Sequence, residues 1–340
     1  MPLRGFLRQA RTQPKAAKVV YSPGMSDSRA TGIVLLTGAT GYLGKRLLPR
    51  LLASGRKVRC LVLPGDEADQ SRLHKCEVVR GDLSDLKGLE SIMEGVDTVV
   101  HSAALMPPND AERIRAVNVG GTAALLEKAR ASGVRRFIYL SAVSATYHVK
   151  NAYGESKAEA EALVAASGLD FTILRFTMVY GEGGGLHFAK LVGLIEKIPL
   201  VFPVLGPGRA RLQPVYVDDA ARAVEIALCS PAAVGRTLNV SGGSVVTFNE
   251  LVDAVSAAMG RRRVRLNAPL WLCRIAAAAA ERLNPDSFLS KDAIVGLTQD
   301  AILDHSELLH EFGWRPLDLA SGLALYFGGA ADGDASREAA

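Results

Sequence analysis

The stretch Ile33-Val-Leu-Leu-Thr-Gly-Ala-Thr-Gly-Tyr-Leu-Gly44 decides which fold this chain is expected to adopt. Four apolar residues lead into glycines at 38, 41 and 44, and an amphipathic segment from Lys45 to Ser54 follows. A buried strand, a tight turn and a helix start are the parts of a nucleotide-binding βαβ unit. In such a unit Gly38 permits the turn, Gly41 admits a pyrophosphate and Gly44 lets the helix pack on the strand. The diphosphate would lie on free amides at the helix N-terminus, so the pattern predicts a dinucleotide site.

The composition is typical of a globular protein, and its charge gives no indication of nucleic-acid binding. The chain has 340 residues, 49% of them hydrophobic, and a net charge of +5. Residues 1–24 hold five basic residues and no acid, and removing these five from 40 leaves 35 basic against 35 acidic residues. We therefore expect no nucleic-acid partner, and we interpret the cluster Arg261-Arg-Arg-Val-Arg265 as a charged edge strand.

The cysteines and the most apolar helix limit the redox state and the membrane topology. The four cysteines are dispersed without a C-x-x-C pair, which predicts free thiols in a reducing compartment, hence a cytoplasmic protein without a disulfide framework or a metal site. The apolar run Leu270–Ala280 is shorter than the roughly 20 residues that span a bilayer. We expect it to dock on the core, with peripheral contact with a membrane as the alternative, so no integral membrane segment is predicted.

Alternating strand-like and helical segments predict an α/β fold, a Rossmann-like doubly wound parallel sheet with a smaller, mostly helical C-terminal substrate lobe. The predicted strands after the glycine turn are Val58–Leu63, Glu77–Arg80, Thr98–His101, Arg136–Leu140 and Phe171–Leu174. The predicted helices between them are Leu47–Leu52, Leu86–Met93, Val119–Ser132 and Glu155–Ser167.

The predicted domain organisation has four parts. Residues 1–30 form a leader (a targeting peptide, a disordered segment, or sequence upstream of a start at Met25), and residues 329–340 a disordered tail. Residues 31–176 form the NAD(P)-binding domain. Residues 177–328 form the substrate lobe, from which the chain returns to the first domain around 213–240.

A tyrosine and a lysine lie one helical turn apart in Tyr153-Gly-Glu-Ser-Lys157. An ammonium beside a phenol favours the phenolate, so this spacing predicts a tyrosine whose pKa is lowered toward a range useful for proton transfer. The pair follows a predicted strand that ends at Ser141, in a chain that already has a dinucleotide turn. Together these features predict a hydride-transfer site.

With these motifs in order, the sequence resembles the short-chain dehydrogenase/reductase superfamily, in its extended, epimerase/dehydratase-like branch. The resemblance covers about residues 31–320 and includes Arg80-Gly-Asp-Leu83, Val100-His-Ser-Ala-Ala104, Asn118-Val-Gly-Gly-Thr122 and Val217-Asp-Asp219. It implies that Tyr153 is the catalytic acid/base and that Lys157 holds the nicotinamide ribose. The cofactor-binding residues that it implies are Gly38, Thr40, Gly41, Tyr42, Leu43, Gly44, Asp82, Leu83, His101, Ala103, Ala104, Asn118, Tyr153 and Lys157.

The catalytic serine departs from the family's pattern. The family usually has a Ser-Ser pair before the tyrosine, and this chain has Ser141-Ala142. Ser141, Ser144 or Thr146 would then polarise the substrate carbonyl, or this hydrogen bond is missing. The Ser-Ala pattern is similar to the atypical branch that includes the accessory subunit of respiratory complex I, in which the cofactor is structural.

The residues after the second predicted strand favour NAD over NADP without excluding NADP. An acid there accepts the ribose hydroxyls, whereas an arginine pairs with a 2′-phosphate. The sequence places Asp66 and Glu67 slightly beyond this position and no arginine in it.

Two functions remain open at this stage. The first is an NAD(P)-dependent oxidoreductase or epimerase that transfers a hydride at a secondary alcohol or sugar carbon of a small-molecule substrate. The alternative is a scaffold or assembly factor that uses NAD(P) structurally.

The residues expected to line the substrate site slightly favour a less polar substrate, and they are Leu186, Phe188, Val201, Phe202 and Leu205. Nucleotide-sugar relatives usually have an Arg-Asp-Phe-type lead into Val-Asp-Asp, where this chain has Leu212-Gln213-Pro214. The resemblance also suggests a homodimer through the helices around Asn118–Arg130 and Glu155–Val164.

Overall fold

A computed structural model describes most of the chain. The described residues are 32–66, 73–85, 90–106, 110–283, 294–296 and 298–334. The predicted leader lies outside them.

The centre of the protein is a seven-stranded parallel sheet in the order β11-β6-β5-β4-β1-β2-β3. Its strands are β1 Ile33–Thr37, β2 Lys57–Val62, β3 Glu77–Arg80, β4 Val96–His101, β5 Arg136–Ala142, β6 Asp170–Phe176 and β11 Arg236–Val240. The order reverses at β1, which makes the sheet doubly wound and confirms the predicted fold class. Strand β11 joins β6, so the chain comes back to this sheet at residues 236–240, within the range of the predicted return.

Helices cover both faces of this sheet, as its apolar strands require. The helices are α1 Gly44–Ala53, α2 Ala111–Arg115, α3 Gly121–Ala131, α4 Ala152–Ala165, α5 Leu186–Lys197, α6 Val217–Cys229, α7 Phe248–Ala258, α8 Leu270–Leu283, α9 Ser306–Phe312 and α10 Leu319–Asp334. Helices α1 and α6 pack on one face with Val34 and Leu36. Helices α3 and α4 pack on the other face with Leu35.

The remaining strands are short and belong mostly to the C-terminal lobe. They are β7 Val179–Tyr180, β8 Val201–Leu205, β9 Arg211–Leu212, β10 Val215–Tyr216, β12 Val246–Thr247 and β13 Val264–Ala268. The lobe has its own apolar core, in which Phe188 and Phe202 are fully buried. The prediction that these two aromatic rings line the substrate site is therefore wrong, because they hold α5 and β8 against α7 instead.

Three predicted segments differ from the structure. The predicted helix Leu86–Met93 is a 3₁₀ turn at Glu90–Met93, and residues 86–89 lie outside the described part. A π-helical segment, Ala116–Gly120, precedes α3. Helix α10 continues to Asp334, so the predicted disordered tail is wrong for residues 329–334, and residues 335–340 lie outside the described part.

All four cysteines are free, as predicted. Cys60 and Cys76 are nevertheless neighbours, with their sulfur atoms 3.5 Å apart, a proximity that the sequence spacing did not indicate. Within the described ranges, no helix is long and apolar enough to cross a membrane, and no group of three or more metal-ligating side chains occurs.

Candidate active site

The turn between β1 and α1 has no room for a Cβ atom at Gly38 or Gly44. Gly38 has φ +71°, and a Cβ atom there would lie 2.7 Å from the backbone nitrogen of Ala103, at the end of β4. A Cβ atom at Gly44 would lie 2.0 Å from the carbonyl oxygen of Gly38. The turn is thus pressed against the neighbouring strand end and its own helix, the close approach that a pyrophosphate-binding turn needs.

The N-terminus of α1 is suited to an anion. Its N-cap residue, Leu43, provides no side-chain hydrogen bond, and no acidic residue lies in the first turn. The first amides of a helix lack intrahelical partners and carry a partial positive charge. The glycine cradle and these amides fit the diphosphate of a dinucleotide.

A cavity of about 800 Å³ adjoins this turn on the side of the C-terminal lobe. Thr40, Tyr42 and Arg46 line it from the turn and α1, and Glu182 lines it from the glycine-rich loop before α5. Arg46 donates to Glu182 at 2.6 Å, which links the two lobes across the cavity. Tyr42 has a buried hydroxyl without a hydrogen-bond partner among the described residues.

His101 is a fully hydrogen-bonded core residue. Its Nδ1 lies 2.7 Å from the Thr37 hydroxyl, and its Nε2 lies 3.0 Å from the Thr122 hydroxyl. Thr122 donates to the Asn118 carbonyl, and Thr37 accepts from the Ala103 amide, so the consistent tautomer has its proton on Nε2. Burial and the nearby positive charge of Lys157 lower the pKa of His101 to about 3. The prediction that this side chain lines the cofactor cleft is wrong; it joins the ends of β1 and β4 to α3.

Asn118 connects the loop after β4 to the helix that carries Tyr153. Its side chain accepts from the Leu105 amide at 2.7 Å and donates to the Leu105 carbonyl at 2.9 Å. It also donates to Ser156 Oγ at 2.9 Å, and Ser156 in turn donates to the Tyr153 carbonyl. These contacts occupy its amide group with protein partners, so Asn118 positions the site.

Tyr153 and Lys157 lie one turn apart at the start of α4, the spacing that the sequence predicted. Asn151 caps this helix, with its Oδ1 accepting from the Gly154 amide at 2.9 Å. Lys157 is buried, donates from Nζ to the Leu140 carbonyl at 2.5 Å and lies 4.2 Å from the centre of the Tyr139 ring. The ammonium is therefore turned toward β5.

The electrostatics of this pair differ from the prediction. Burial raises the pKa of Tyr153 to about 12, because the phenolate loses its hydration, so the expected lowering by Lys157 does not occur in this structure. Burial also lowers the pKa of Lys157 to about 7, against the opposing effect of Glu161. Tyr153 is therefore a protonated phenol at neutral pH, ready to donate a proton.

The buried lysine gives a testable pH dependence of stability. Between pH 7 and about 10 the unfolded chain binds the proton that folded Lys157 releases, so the free energy of unfolding rises with pH in this window. We expect Lys157→Met to remove up to about 1.4 kcal/mol per pH unit from this slope. Urea unfolding of the cofactor-free protein at several pH values measures it, with Lys57→Met, at an exposed lysine, as control. Equal slopes in wild type and Lys157→Met would contradict the assignment.

Three hydroxyl groups were candidates for polarising a substrate carbonyl, and the structure distinguishes them. Thr146 donates to the Val143 carbonyl at 2.7 Å and is occupied. The buried hydroxyls of Ser141 and Ser144 have no hydrogen-bond partner among the described residues. Ser144 belongs to a 3₁₀ turn that packs on α4, and a Cβ atom at Gly154 would lie 2.7 Å from the Ser144 carbonyl oxygen. Ser144 therefore lies next to the backbone that carries Tyr153.

The residues expected at the adenosine end have mainly structural contacts. Asp82 accepts from the Ser84 amide at 2.8 Å in a tight turn, and Leu83 is buried against α3. Asp66 lies just after β2, as predicted, whereas Glu67 lies outside the described part. Arg80 donates to the Asp66 carbonyl at 3.3 Å, so the neighbouring strand brings to this end an arginine that the sequence reading did not place there.

Three polar residues of β6 and α6 make contacts within the protein that hold its elements together. Arg175 forms a two-pronged ion pair with Glu161, the shorter contact being 2.6 Å. Asp218 pairs with Arg50 of α1. Asp219 accepts from the Leu317 amide at 2.8 Å, which ties the C-terminal segment to α6.

A sequence profile described as the NAD dependent epimerase/dehydratase family matches residues 34–241. The chain belongs to this family. It is therefore an NAD-dependent enzyme. The matched range covers the whole seven-stranded sheet, from β1 to β11.

Individual relatives have different activities. The chain is 29% identical to a UDP-glucose 4-epimerase of Vibrio cholerae over an alignment of 317 residues, which covers 85% of this chain and 92% of that protein. It is 32% identical to a ceramide reductase of Caulobacter vibrioides over 243 residues, 71% of this chain and 75% of that protein. A Thermus thermophilus UDP-glucose 4-epimerase solved in complex with NAD superposes with a TM-score of 0.68 at 25% identity, covering 87% of this chain and 98% of that one.

Proposed function

We propose that this NAD-dependent enzyme transfers a hydride between the cofactor and the carbon of a secondary alcohol or ketone, with Tyr153 as proton donor and acceptor. The proposal is carried by Ser144, whose backbone lies against Gly154, the neighbour of Tyr153, and whose buried hydroxyl has no partner among the described residues, just beyond the carboxyl end of β5. Ligands of doubly wound sheets bind beyond the carboxyl ends of the strands. When bound, NAD supplies the hydride donor or acceptor.

The residues would divide the chemistry as follows. In the reducing direction Tyr153, a phenol at neutral pH, donates its proton to the ketone oxygen as that oxygen becomes an alcohol. Ser144 donates a hydrogen bond to the same oxygen while negative charge develops on it. In the oxidising direction the hydroxyl proton returns to Tyr153. Lys157, held by the Leu140 carbonyl and the Tyr139 ring, fixes α4 against β5. It would also hydrogen-bond the cofactor ribose when NAD is bound.

We propose a ketone or alcohol on an apolar carbon skeleton as the substrate, rather than a sugar nucleotide. Arg211, the basic residue nearest the position that precedes Val-Asp-Asp in nucleotide-sugar relatives, forms an ion pair with Asp300 at 2.6 Å. Gln213 is buried, donates to the Gly242 carbonyl and accepts from the Leu303 amide. Both side chains are thus engaged within the chain, which leaves this segment poorly suited to a nucleotide diphosphate. The ceramide reductase relative supports the same class.

Ser144 is expected to be the hydroxyl that polarises the substrate carbonyl. We expect Ser144→Ala to lower kcat about 10²-fold, the usual loss on removing one donor to a developing oxyanion. Ser141→Ala and Thr146→Val should leave kcat within the same order of magnitude, because Ser141 lies within β5 and Thr146 already donates to the backbone. Steady-state kinetics of the three variants measures this. A large loss in Ser141→Ala with none in Ser144→Ala would contradict the assignment.

A substrate panel tests the function itself. Purified protein with NADH is mixed with long-chain and steroid ketones and, separately, with UDP-hexoses, and NADH oxidation or epimer formation is followed. We expect turnover with apolar ketones. Turnover with UDP-hexoses alone would overturn the substrate class, and tightly held NAD with no turnover on any compound would favour the structural-cofactor alternative.

A further inference from the structure

The solvent-facing side of the β8–β13 ribbon is apolar. The parallel register pairs Val264 with Val201 and Leu266 with Pro203, so these four side chains share one face. All four are exposed, with Val264 and Leu266 at 68% and 62%. A solvated sheet face ordinarily carries polar residues. This solvated face of the ribbon carries apolar residues instead.

The opposite face of the ribbon carries two buried apolar side chains on β8 and two polar residues on β13 that are exposed and also contact the lobe. On the opposite face Phe202 and Val204 are buried in the core of the lobe. Beside them, Arg265 pairs with Asp253 of α7 at 3.1 Å, and Asn267 donates to the Gly206 carbonyl at 3.0 Å. These two contacts help to hold the register of the ribbon, although Arg265 and Asn267 are themselves exposed.

Helix α8 extends the same apolar surface. Leu205 and Ala268, at the end of the ribbon's outer face, pack with Cys273 and Ala277 of α8. The outward side of α8 carries Trp271, Leu272 and Ile275, which are 64%, 45% and 62% exposed and lie at helical spacing on one side. We call the combined surface the apolar patch; its members are Val201, Val264, Leu266, Trp271, Leu272 and Ile275.

Basic residues surround the apolar patch. The segments 195–205 and 259–283, which form it, contain seven lysines and arginines against two acidic residues. Among them Arg262, Arg274 and Arg282 are exposed, and none forms an ion pair with another residue of the described ranges. The patch thus combines an exposed tryptophan and aliphatic side chains with an excess of basic over acidic residues.

We propose that the apolar patch docks this enzyme on an anionic lipid bilayer, with α8 lying in the plane of the interface. An in-plane helix buries Trp and aliphatic side chains at the level of the acyl chains, while its arginines contact lipid phosphates. A second copy of the chain is a poorer occupant, since a two-fold contact through this patch would bring the same arginines together. The proposal does not depend on the proposed reaction, because it is tested by binding alone.

The two tryptophans of the chain make docking observable. Trp271 lies in the apolar patch, whereas Trp314 is fully buried and donates to the Asp219 carbonyl. With vesicles of phosphatidylglycerol and phosphatidylcholine, we expect the full-length protein to co-sediment, its emission to shift to the blue and brominated acyl chains to quench it. In Trp271→Phe the shift and the quenching should disappear, because only Trp314 remains.

Variants separate the apolar and the charged contributions. We expect Trp271→Glu/Ile275→Glu to lower partitioning about tenfold or more. Arg262→Gln/Arg274→Gln should weaken binding to anionic vesicles and remove the advantage over pure phosphatidylcholine. Val78→Glu, on the exposed edge strand β3, is the matched control and should bind as wild type. Thermal unfolding establishes that each variant is folded.

Several results would overturn the proposal. They are the absence of wild-type binding to anionic vesicles, equal binding to pure phosphatidylcholine, and unchanged partitioning of Trp271→Glu/Ile275→Glu. Light scattering, which measures the oligomeric state, provides one further result that would overturn the proposal. If the double glutamate variant converts a dimer to a monomer while the wild type binds no vesicles, a second copy covers the apolar patch instead.

Discussion

Gly38→Ala is expected to weaken NAD binding by about 100-fold or more. At φ +71° an alanine costs about 1–2 kcal/mol from backbone conformation alone. Its Cβ would also lie 2.7 Å from the Ala103 nitrogen and 2.9 Å from the Ala103 Cα, and both are backbone atoms that can move only if β4 moves. The turn must therefore open away from the strand end, which spoils the close approach that a pyrophosphate requires.

Gly55→Ala is the matched control for this change. Gly55 has φ +80°, and a Cβ atom there would have no neighbour within 4 Å, so it has the conformational cost without the collision. Calorimetric titration with NAD and thermal unfolding of both variants separate the two effects. We expect both melting temperatures to fall and only Gly38→Ala to lose affinity. Comparable NAD affinities in the two variants would contradict the cradle assigned to Gly38.

Tyr153→Phe is expected to lower kcat by about 10²–10⁴-fold, the contribution of a positioned acid/base. The helix should form as before, because its cap comes from Asn151 and its contact with β5 comes from Lys157. NAD affinity should therefore change little, so the loss should lie in kcat. Steady-state kinetics with the best compound of the panel, together with NAD titration, measures both quantities.

Tyr147→Phe controls for the loss of a tyrosine near the same site. Tyr147 follows the 3₁₀ turn that carries Ser144, and burial raises its pKa to about 12 as well. The Tyr147→Phe enzyme should keep most of its activity, because no feature of the sequence or of the described residues assigns a proton-transfer role to Tyr147. A large kcat loss in Tyr147→Phe with none in Tyr153→Phe would move the acid/base to the other tyrosine.

The backbone framework was predictable because local patterns encode it. The apolar run before Gly38 and the glycine spacing predicted β1, its turn and α1, and the alternation of segments predicted a parallel sheet with helices on both faces. The return of the chain through residues 213–240 was also predicted from the sequence, and β11 completes the sheet there. The i, i+4 spacing of Tyr153 and Lys157 likewise follows from helix geometry.

Side-chain environments were less predictable because they depend on distant partners. His101 was expected in the cofactor cleft, but Thr37 and Thr122, 64 and 21 residues away, occupy both of its ring nitrogens. Lys157 was expected to lower the pKa of Tyr153, yet the Leu140 carbonyl draws its ammonium toward β5. Such tertiary contacts leave no periodic signal in the sequence.

In the C-terminal lobe, too, the environment of individual side chains was not predictable from the sequence. Phe188 and Phe202 were expected to line the substrate site because they are apolar, whereas they are buried in the core of the lobe. The arginine-rich segment was interpreted as a charged edge, and a short strand, β13, does follow its first three arginines. Its outer face is nevertheless apolar, because Val264 and Leu266 lie there, whereas Arg265 lies on the opposite face and pairs with Asp253.

Transfer of deuterium from NADH labelled at its transferable position tests the central claim most directly. The labelled cofactor is incubated with the protein and the ketone panel, and the alcohol products are analysed by mass spectrometry, with Tyr153→Phe in parallel. We expect deuterium on the carbinol carbon with the wild type and a rate about 10²–10⁴-fold lower with Tyr153→Phe. Deuterium-free products, or transfer at the same rate in both proteins, would contradict hydride transfer assisted by Tyr153.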